Sequence, residues 1–252
     1  MFKGFYMATS GMLTQSRVLN TISNNMANAS TPGYKADVMT TTTFEDVLIH
    51  RTGNTDKSVY TPLNTSSMIR TVDELVTNHK EGTLEFTERN LDMAIMGQGF
   101  FEIQNANGEM RYTRNGSFNV DADGYLCLQH IGRVMGVAGP IYLGTDDIKM
   151  TQDGIIADAV TGETLAQVRI VDFADYAQLQ KTDEGMFESV NPAAAMGIEA
   201  NLQHKALERS NVEAADEMID MIASQRAFQS ASQIAKAYDQ LMNKAADLAN
   251  LA

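Results

Sequence analysis

Disulfides, metal clusters and membrane spans all lack raw material in this chain. It holds one cysteine, Cys127, among 252 residues, which excludes an internal disulfide framework and any cysteine-rich zinc site. Four scattered histidines, His50, His79, His130 and His204, do not suggest a histidine-built metal site. Basic residues are the minority: 19 Lys and Arg stand against 32 Asp and Glu, a net charge of −13. A phosphate backbone or an anionic lipid surface would repel that average charge, which argues against nucleic acid or a membrane surface as partner. No apolar run approaches the ~18 residues of a membrane-spanning helix, so no integral membrane segment is expected. The opening MFKGFYMATSGMLTQ does not read as a cleavable secretory signal, because Thr9, Ser10, Thr14 and Gln15 interrupt any apolar stretch. That fits a cytoplasmic protein and, equally, one leaving the cell by a route that reads no cleaved signal. What is present is 44% hydrophobic residues, enough for one or two domains with a sizeable core.

The texture of the chain divides it into five stretches. Residues 1–35 read as a helix followed by a short loop. Phe5, Ala8, Met12, Leu19, Ile22, Met26 and Ala29 recur in steps of three and four, broken at Gln15, the spacing that keeps one stripe on a partner helix. Pro32-Gly33 ends the helix, since the residue before proline is pushed toward extended geometry. Residues 36–82, rich in Thr, Asn and Ser, carry no sustained period and read as an extended polar connection. Phe44–Ile49 is open between a helical turn and a strand. Residues 83–190 form a mostly antiparallel β domain. Strand-like runs at Phe100–Ile103, Met110–Thr113, Ser117–Val120, Tyr125–Leu128 and Ala166–Phe173 alternate with Asn107-Gly108, Asn115-Gly116, Asp123-Gly124 and Asp153-Gly154, dipeptides that signal hairpins. Residues 191–211 read as an extended connector.

Residues 212–252 form a long helix, roughly 55 Å at 1.5 Å per residue. Ser210 and Glu213 fit a capping box at its start. Ala227, Ala231, Ile234, Tyr238, Leu241, Ala245 and Leu248 make one stripe; Ala215, Ile219 and Ile222 make a second, offset near Arg226. The fold class is therefore α+β: N- and C-terminal helices pairing as an α-helical coiled coil, with an inserted β domain. Neither stripe fits a compact neighbour of equal length, so apolar surface is left for other subunits. Phe5, Met12, Leu19, Ile22, Met26, Ile219, Ile222, Ala227, Ile234, Tyr238, Leu241 and Leu248 are the candidate assembly residues.

Candidate reactive groups read as structural. Asn119-x-Asp121-x-Asp123-Gly124 opens like a calcium loop, but His130 stands where a bidentate Glu is needed and the flanks are strands, so a β-turn is the better reading. Gly97-x-Gly99 lacks the third glycine of a dinucleotide fingerprint and leads into strand, which points to a tight bend. Cys127, between Leu126 and Leu128, reads as a buried thiol. No G-x-S-x-G occurs. Asn28-Ala29-Ser30, Asn64-Thr65-Ser66 and Asn115-Gly116-Ser117 match a glycosylation triplet that nothing else supports. The 16 methionines, Met12, Met26, Met218 and Met221 among them, fit core or interface packing. No cofactor, catalytic residue or metal site is expected.

Four motifs carry a resemblance. Ser23-Asn24-Asn25-Met26-Ala27-Asn28 with Thr31-Pro32-Gly33-Tyr34-Lys35 resembles the N-terminal signature of bacterial flagellar rod and hook proteins. Leu91-Asp92-Met93-Ala94-Ile95-Met96-Gly97-Gln98-Gly99-Phe100-Phe101 is similar to that family's central motif, and Tyr112-Thr113-Arg114-Asn115-Gly116-Ser117-Phe118 to the next. Leu207-Glu208-Arg209-Ser210-Asn211-Val212, then Glu217-Met218, Met221-Ile222 and Gln225-Arg226-Ala227-Phe228, resembles the C-terminal signature.

The resemblance implies a non-enzymatic structural subunit of the basal-body rod. Its terminal helices would line a helical tube with the β domain outside. It would assemble with its own copies and with other axial proteins of rod and hook, after export by the flagellar type III apparatus without signal cleavage. The small β domain suits a rod protein better than a hook protein. The family's distal form typically carries a glycine-rich segment before the central motif; its absence here points to the proximal type. An enzyme sited on the β domain lacks a reactive set, and a secreted binding module or chaperone has no need of a β domain splitting the helix pair.

Overall fold

The computed structural model of the chain describes residues 2–43, 46–52, 60–67, 70–129, 131–182, 185–191 and 195–250. The fold is α+β and divides into two compact units, each assembled from separated stretches of chain.

Unit 1 comprises residues 1–27, 37–78 and 213–252. Helix α1 (Phe2–Ala27) packs on helix α2 (Ala214–Asn250). The turn at Asn28–Gly33 ends α1, with Thr31 N–H donating to the Asn28 carbonyl before Pro32. At α2 the first helical bond runs from Glu217 N–H to the Glu213 carbonyl, so Glu213 is the cap and the expected box at Ser210 does not form. Ser210 Oγ instead accepts from Val212 N–H in a local turn. Two ties set the helix direction. Asn25 near the end of α1 meets Glu217 near the start of α2, and Gly4 at the start of α1 lies against the Tyr238 ring. The pair is therefore antiparallel, and α2 runs on beyond α1 from about Asp239.

The stretch expected to be an extended polar connection forms two antiparallel strand pairs. Strands β1 (Asp37–Thr43), β2 (Asp46–Thr52), β3 (Tyr60–Ser67) and β4 (Arg70–Thr77) pair antiparallel, β1 with β4 and β2 with β3. Its Thr- and Val-rich composition favours extended backbone. Its sequence carries no sustained period-two apolar alternation, so pattern alone does not reveal the pairing. Phe44 lies outside the described residues, while Asp46–Thr52 is strand.

Unit 2 comprises residues 28–36 and 79–212, so the β domain extends past both expected boundaries. Its strands are β5 (Leu84–Phe86), β6 (Met93–Ile95), β7 (Phe100–Asn105), β8 (Met110–Thr113), β9 (Asn119–Val120), β10 (Leu126–Leu128), β11 (Gly132–Gly136), β12 (Gly139–Pro140), β13 (Ile148–Met150), β14 (Ile155–Asp158), β15 (Thr164–Gln167) and β16 (Ile170–Phe173). After these come β17 (Leu179–Lys181), β18 (Phe187–Ser189), β19 (Ala195–Ile198), β20 (Leu202–His204) and β21 (Ala206–Glu208). The largest sheet runs β17-β18-β8-β7-β11-β10-β9, with β16 also on β7 and β19 on β16. The expected connector at 191–211 is thus sheet: β19 joins β16, β20 pairs β6 and β21 pairs β5.

β7 is buried on both faces. Phe101 and Ile103 enter one core with Phe118, Leu126, Val134, Ile156, Ile170 and Leu202. Phe100 enters a second with Tyr112, Val171, Phe173 and Phe187. Alternate side chains of a strand point to opposite faces, so a strand covered on both reads as an unbroken apolar run. Three of the four turn dipeptides make hairpins, β7–β8, β9–β10 and β13–β14, with Gly108, Gly124 and Gly154 at positive φ. Asn115-Gly116 does not: a Cβ at Gly116 would overlap the Met93 carbonyl, so this glycine serves close backbone packing.

Candidate functional site

Two arrangements stand out, one in each unit. In unit 1 the candidate assembly residues separate into covered and uncovered sets. On α1, Ile22 is buried, with Ala8, Thr14 and Asn25, while Phe5, Met12, Leu19 and Met26 are half-buried. On α2 the half-buried residues are Ser232 and a series that alternates by four and three: Glu217, Met221, Ser224, Phe228, Ala231, Ala235, Tyr238 and Met242. The ties of Glu217 and Tyr238 to α1 identify this as the covered stripe. Tyr238 and Ala231 belong to the stripe read from the sequence. Ile219, Ile222, Ile234 and Leu241 do not face α1; they are 52–65% exposed. Ala227 is exposed beside them, and the Leu248 side chain lies outside the described residues. On α1, Tyr6, Met7 and Leu13 are also exposed.

The end of the pair is held by Asn25, which sequence reading quoted but gave no role. Its Nδ2 donates to Glu217 Oε1 (3.0 Å) and to the Asp37 carbonyl (2.9 Å), and its Oδ1 accepts from Asp37 N–H (3.0 Å). Burial pushes the Glu217 carboxyl above the usual carboxylate range; the Asn25 hydrogen bond opposes that, and Asp220 and Asp216 add to it.

In unit 2 three of the quoted motifs meet at a buried ionic node. Glu208, on β21, is 1% exposed. Its Oε1 accepts from Lys35 Nζ (2.5 Å) and Gly82 N–H (2.9 Å), and its Oε2 faces Arg114 Nη1 (3.4 Å). Lys35, also 1% exposed, donates as well to the Lys80 carbonyl (2.7 Å). Burial pulls the Lys35 ammonium below the ordinary lysine range against the pull of Glu208. The backbone closes the same place: Gly33 N–H donates to the Glu208 carbonyl (2.7 Å). Asn211 Oδ1 accepts from Ala36 N–H (2.7 Å). Lys181 Nζ reaches the Lys35 carbonyl and sits 3.7 Å from the Tyr34 ring centroid. A lysine after a Pro-Gly turn and a glutamate in a short polar stretch look like solvated charges, which is why the sequence did not single them out.

The remaining candidates are structural. In the Asn119–Gly124 turn, Asp121 Oδ1 accepts from Tyr125 N–H and Asp123 N–H, while Arg133 binds Asp121 Oδ2 (2.9 Å) and Asp123 Oδ2 (2.5 Å). An arginine thus fills the bay between these carboxylates. His130 lies outside the described residues. Cys127 is half-buried, and burial pushes its thiol up, away from the reactive thiolate. Among the described residues no group of three His, Cys, Asp or Glu is placed to hold a metal ion. No described helix is long and apolar enough to cross a membrane.

The arrangement is that of a two-helix unit with an exposed aliphatic stripe and a β unit whose motif charges are spent on internal ties. The family model for flagella basal body rod protein matches residues 5–35. That for the flagellar hook protein FlgE/F/G D1 domain matches 94–158, and that for the flagellar basal body rod FlgEFG protein C-terminal matches 203–248. The chain is 30% identical to the flagellar basal-body rod protein FlgG of Buchnera aphidicola subsp. Acyrthosiphon pisum, over 98% of this chain and 100% of that protein. It is 32% identical to the FlgG of Bacillus subtilis over 98% and 99%, and 26% identical to the flagellar hook-basal body complex protein FlhO of the same organism over 98% of each. The chain belongs to the flagellar basal-body rod protein family. It is a structural subunit of the flagellar basal body, not an enzyme. Each of the three matched segments contributes one charge to the buried node: Lys35, Arg114 and Glu208.

Proposed function

We propose that α1 and α2 pair as a coiled coil and that the open stripe of α2 is where the subunit packs on further copies of itself and on other rod and hook proteins. In this reading Phe5, Met12, Leu19, Ile22 and Met26 with Tyr238 hold the pair. Ile219, Ile222, Ala227, Ile234, Leu241 and Leu248 build the helical tube that carries torque from motor to hook. Subunits reach the tube through the type III export apparatus without signal cleavage. The observation that carries the proposal is the exposure of four large aliphatic residues on one helix, Ile219, Ile222, Ile234 and Leu241. A heterologous contact that repeats along a helix covers such a stripe in every subunit but the last.

Leu241→Asp tests it. Leu241 is 61% exposed in the monomer, so the substitution should change folding stability by no more than about 0.5 kcal/mol. In an assembled tube it buries an unpaired charge, at a cost of about 3–5 kcal/mol. The expected outcome is soluble, exported protein, with basal bodies that lack rod beyond this subunit by electron microscopy, and no swimming. Lys236→Gln, on the exposed part of the same helix, is the control. Normal swimming with intact basal bodies in Leu241→Asp cells would refute the assembly role.

A further inference from the structure

We propose that the Lys35–Glu208–Arg114 node is a closing latch. Unit 2 completes its fold only when the chain on its N-terminal side and the chain on its C-terminal side have both reached Arg114. Lys35 and Glu208 are 173 residues apart in sequence, and Arg114 and Glu208 are 94 apart. All three side chains are at most 3% exposed. A partly built unit 2 is therefore penalised at this one point. Without residues 28–36, Glu208 loses the closer of its two cations and its carbonyl loses the Gly33 N–H donor, leaving only the longer Arg114 contact and Gly82 N–H to meet a buried carboxylate. Without residues 202–212, Arg114 is buried over the Phe100 ring with no carboxylate facing it, and β5 and β6 lose β21 and β20 as partners. An unpaired buried charge is among the largest single penalties a fold can carry. The node therefore makes closure all-or-none rather than a docking of two tails onto a finished core. In a chain threaded outward through a channel, a timing that rests on the export reading above, unit 2 stays open until Glu208 has emerged.

Hydrogen exchange on the purified full-length monomer, read by mass spectrometry, tests the latch independently of export. In the unaltered protein, residues 32–36, 206–209 and the core strands β7, β8 and β16 should open together, with one common free energy. Glu208→Gln should speed exchange in all of them on the order of a hundredfold. Lys35→Met should give a smaller increase, spread equally. Glu85→Gln, which removes the exposed partner of Arg209 on the neighbouring strand, should change nothing. A Glu208→Gln protein with no protected core also supports the latch, and Lys35→Met then measures its extent. Faster exchange confined to 32–36 and 202–209, with β7, β8 and β16 unchanged, overturns it. So does an unchanged Glu208→Gln protein.

Discussion

Gly33 holds left-handed backbone at φ +69°, and a Cβ there would overlap the backbone of Arg114 and Asn115. Alanine at this position meets two penalties at once. Left-handed backbone costs about 1–2 kcal/mol for a residue with a Cβ, and overpacking against immovable backbone adds about 1–3 kcal/mol. Gly33→Ala should therefore lower unit 2 stability by roughly 3 kcal/mol in urea denaturation. Gly97→Ala, at φ +98° with open space around its Cβ position, should cost only the backbone part. Equal losses would show that the close approach of Gly33 to Arg114 contributes nothing. The sequence displayed Gly33 as a turn residue after Pro32 and hid its contact, because the surface it touches lies some eighty residues away.

Along the helices, what could be read was the period, and what could not was the face. The α2 pattern contains two neighbouring apolar stripes that share Ala231 and Tyr238. The stripe reading chose Ala227, Ile234 and Leu241 as the companions, whereas α1 covers Phe228, Ala235 and Met242. Summed hydrophobicity cannot choose between them when the larger aliphatic residues are the uncovered ones. Three of four hairpin turns were legible from Asn-Gly and Asp-Gly because their cause is local. The pairing of β20 and β21 with β6 and β5 was not, because its cause lies a hundred residues away. The tie between the helices at Asn25 and Glu217 has a measurable pH signature. The folded protein raises the Glu217 pKa, so it holds that proton more tightly than the unfolded chain does. The stabilisation this brings is complete below the ordinary carboxylate pKa and is lost as pH rises through the folded value. Glu217→Gln keeps an acceptor for Asn25 and removes the repulsion by Asp216 and Asp220. It should stabilise the helix pair at pH 7 by roughly a few tenths of a kcal/mol, and the gain should vanish below about pH 4. Circular dichroism melts at the two pH values check this; a loss of stability at pH 7 would mean the charged form is the favoured one.

As a whole, the chain folds back on itself so that residues near its two ends form one unit and the middle forms most of another. The central family match lies entirely within unit 2, while the terminal matches span both units. Within unit 1, Gly4 meets Tyr238 and Asn25 meets Glu217, and the two intervals are the same length, about three heptads each. The helix pair therefore acts as a ruler with matched scales. Deleting seven residues from α1 and the facing seven from α2 keeps both end ties and both faces in phase. Deleting seven from α1 alone breaks one tie or the other. The paired deletion should fold to a shorter unit 1 with native-like helicity and a cooperative melt, and the single deletion should lose at least one of those properties. A change in the reach of this helix pair that spares both ties is therefore a whole heptad taken from α1 and from α2 together, a paired step rather than a single one.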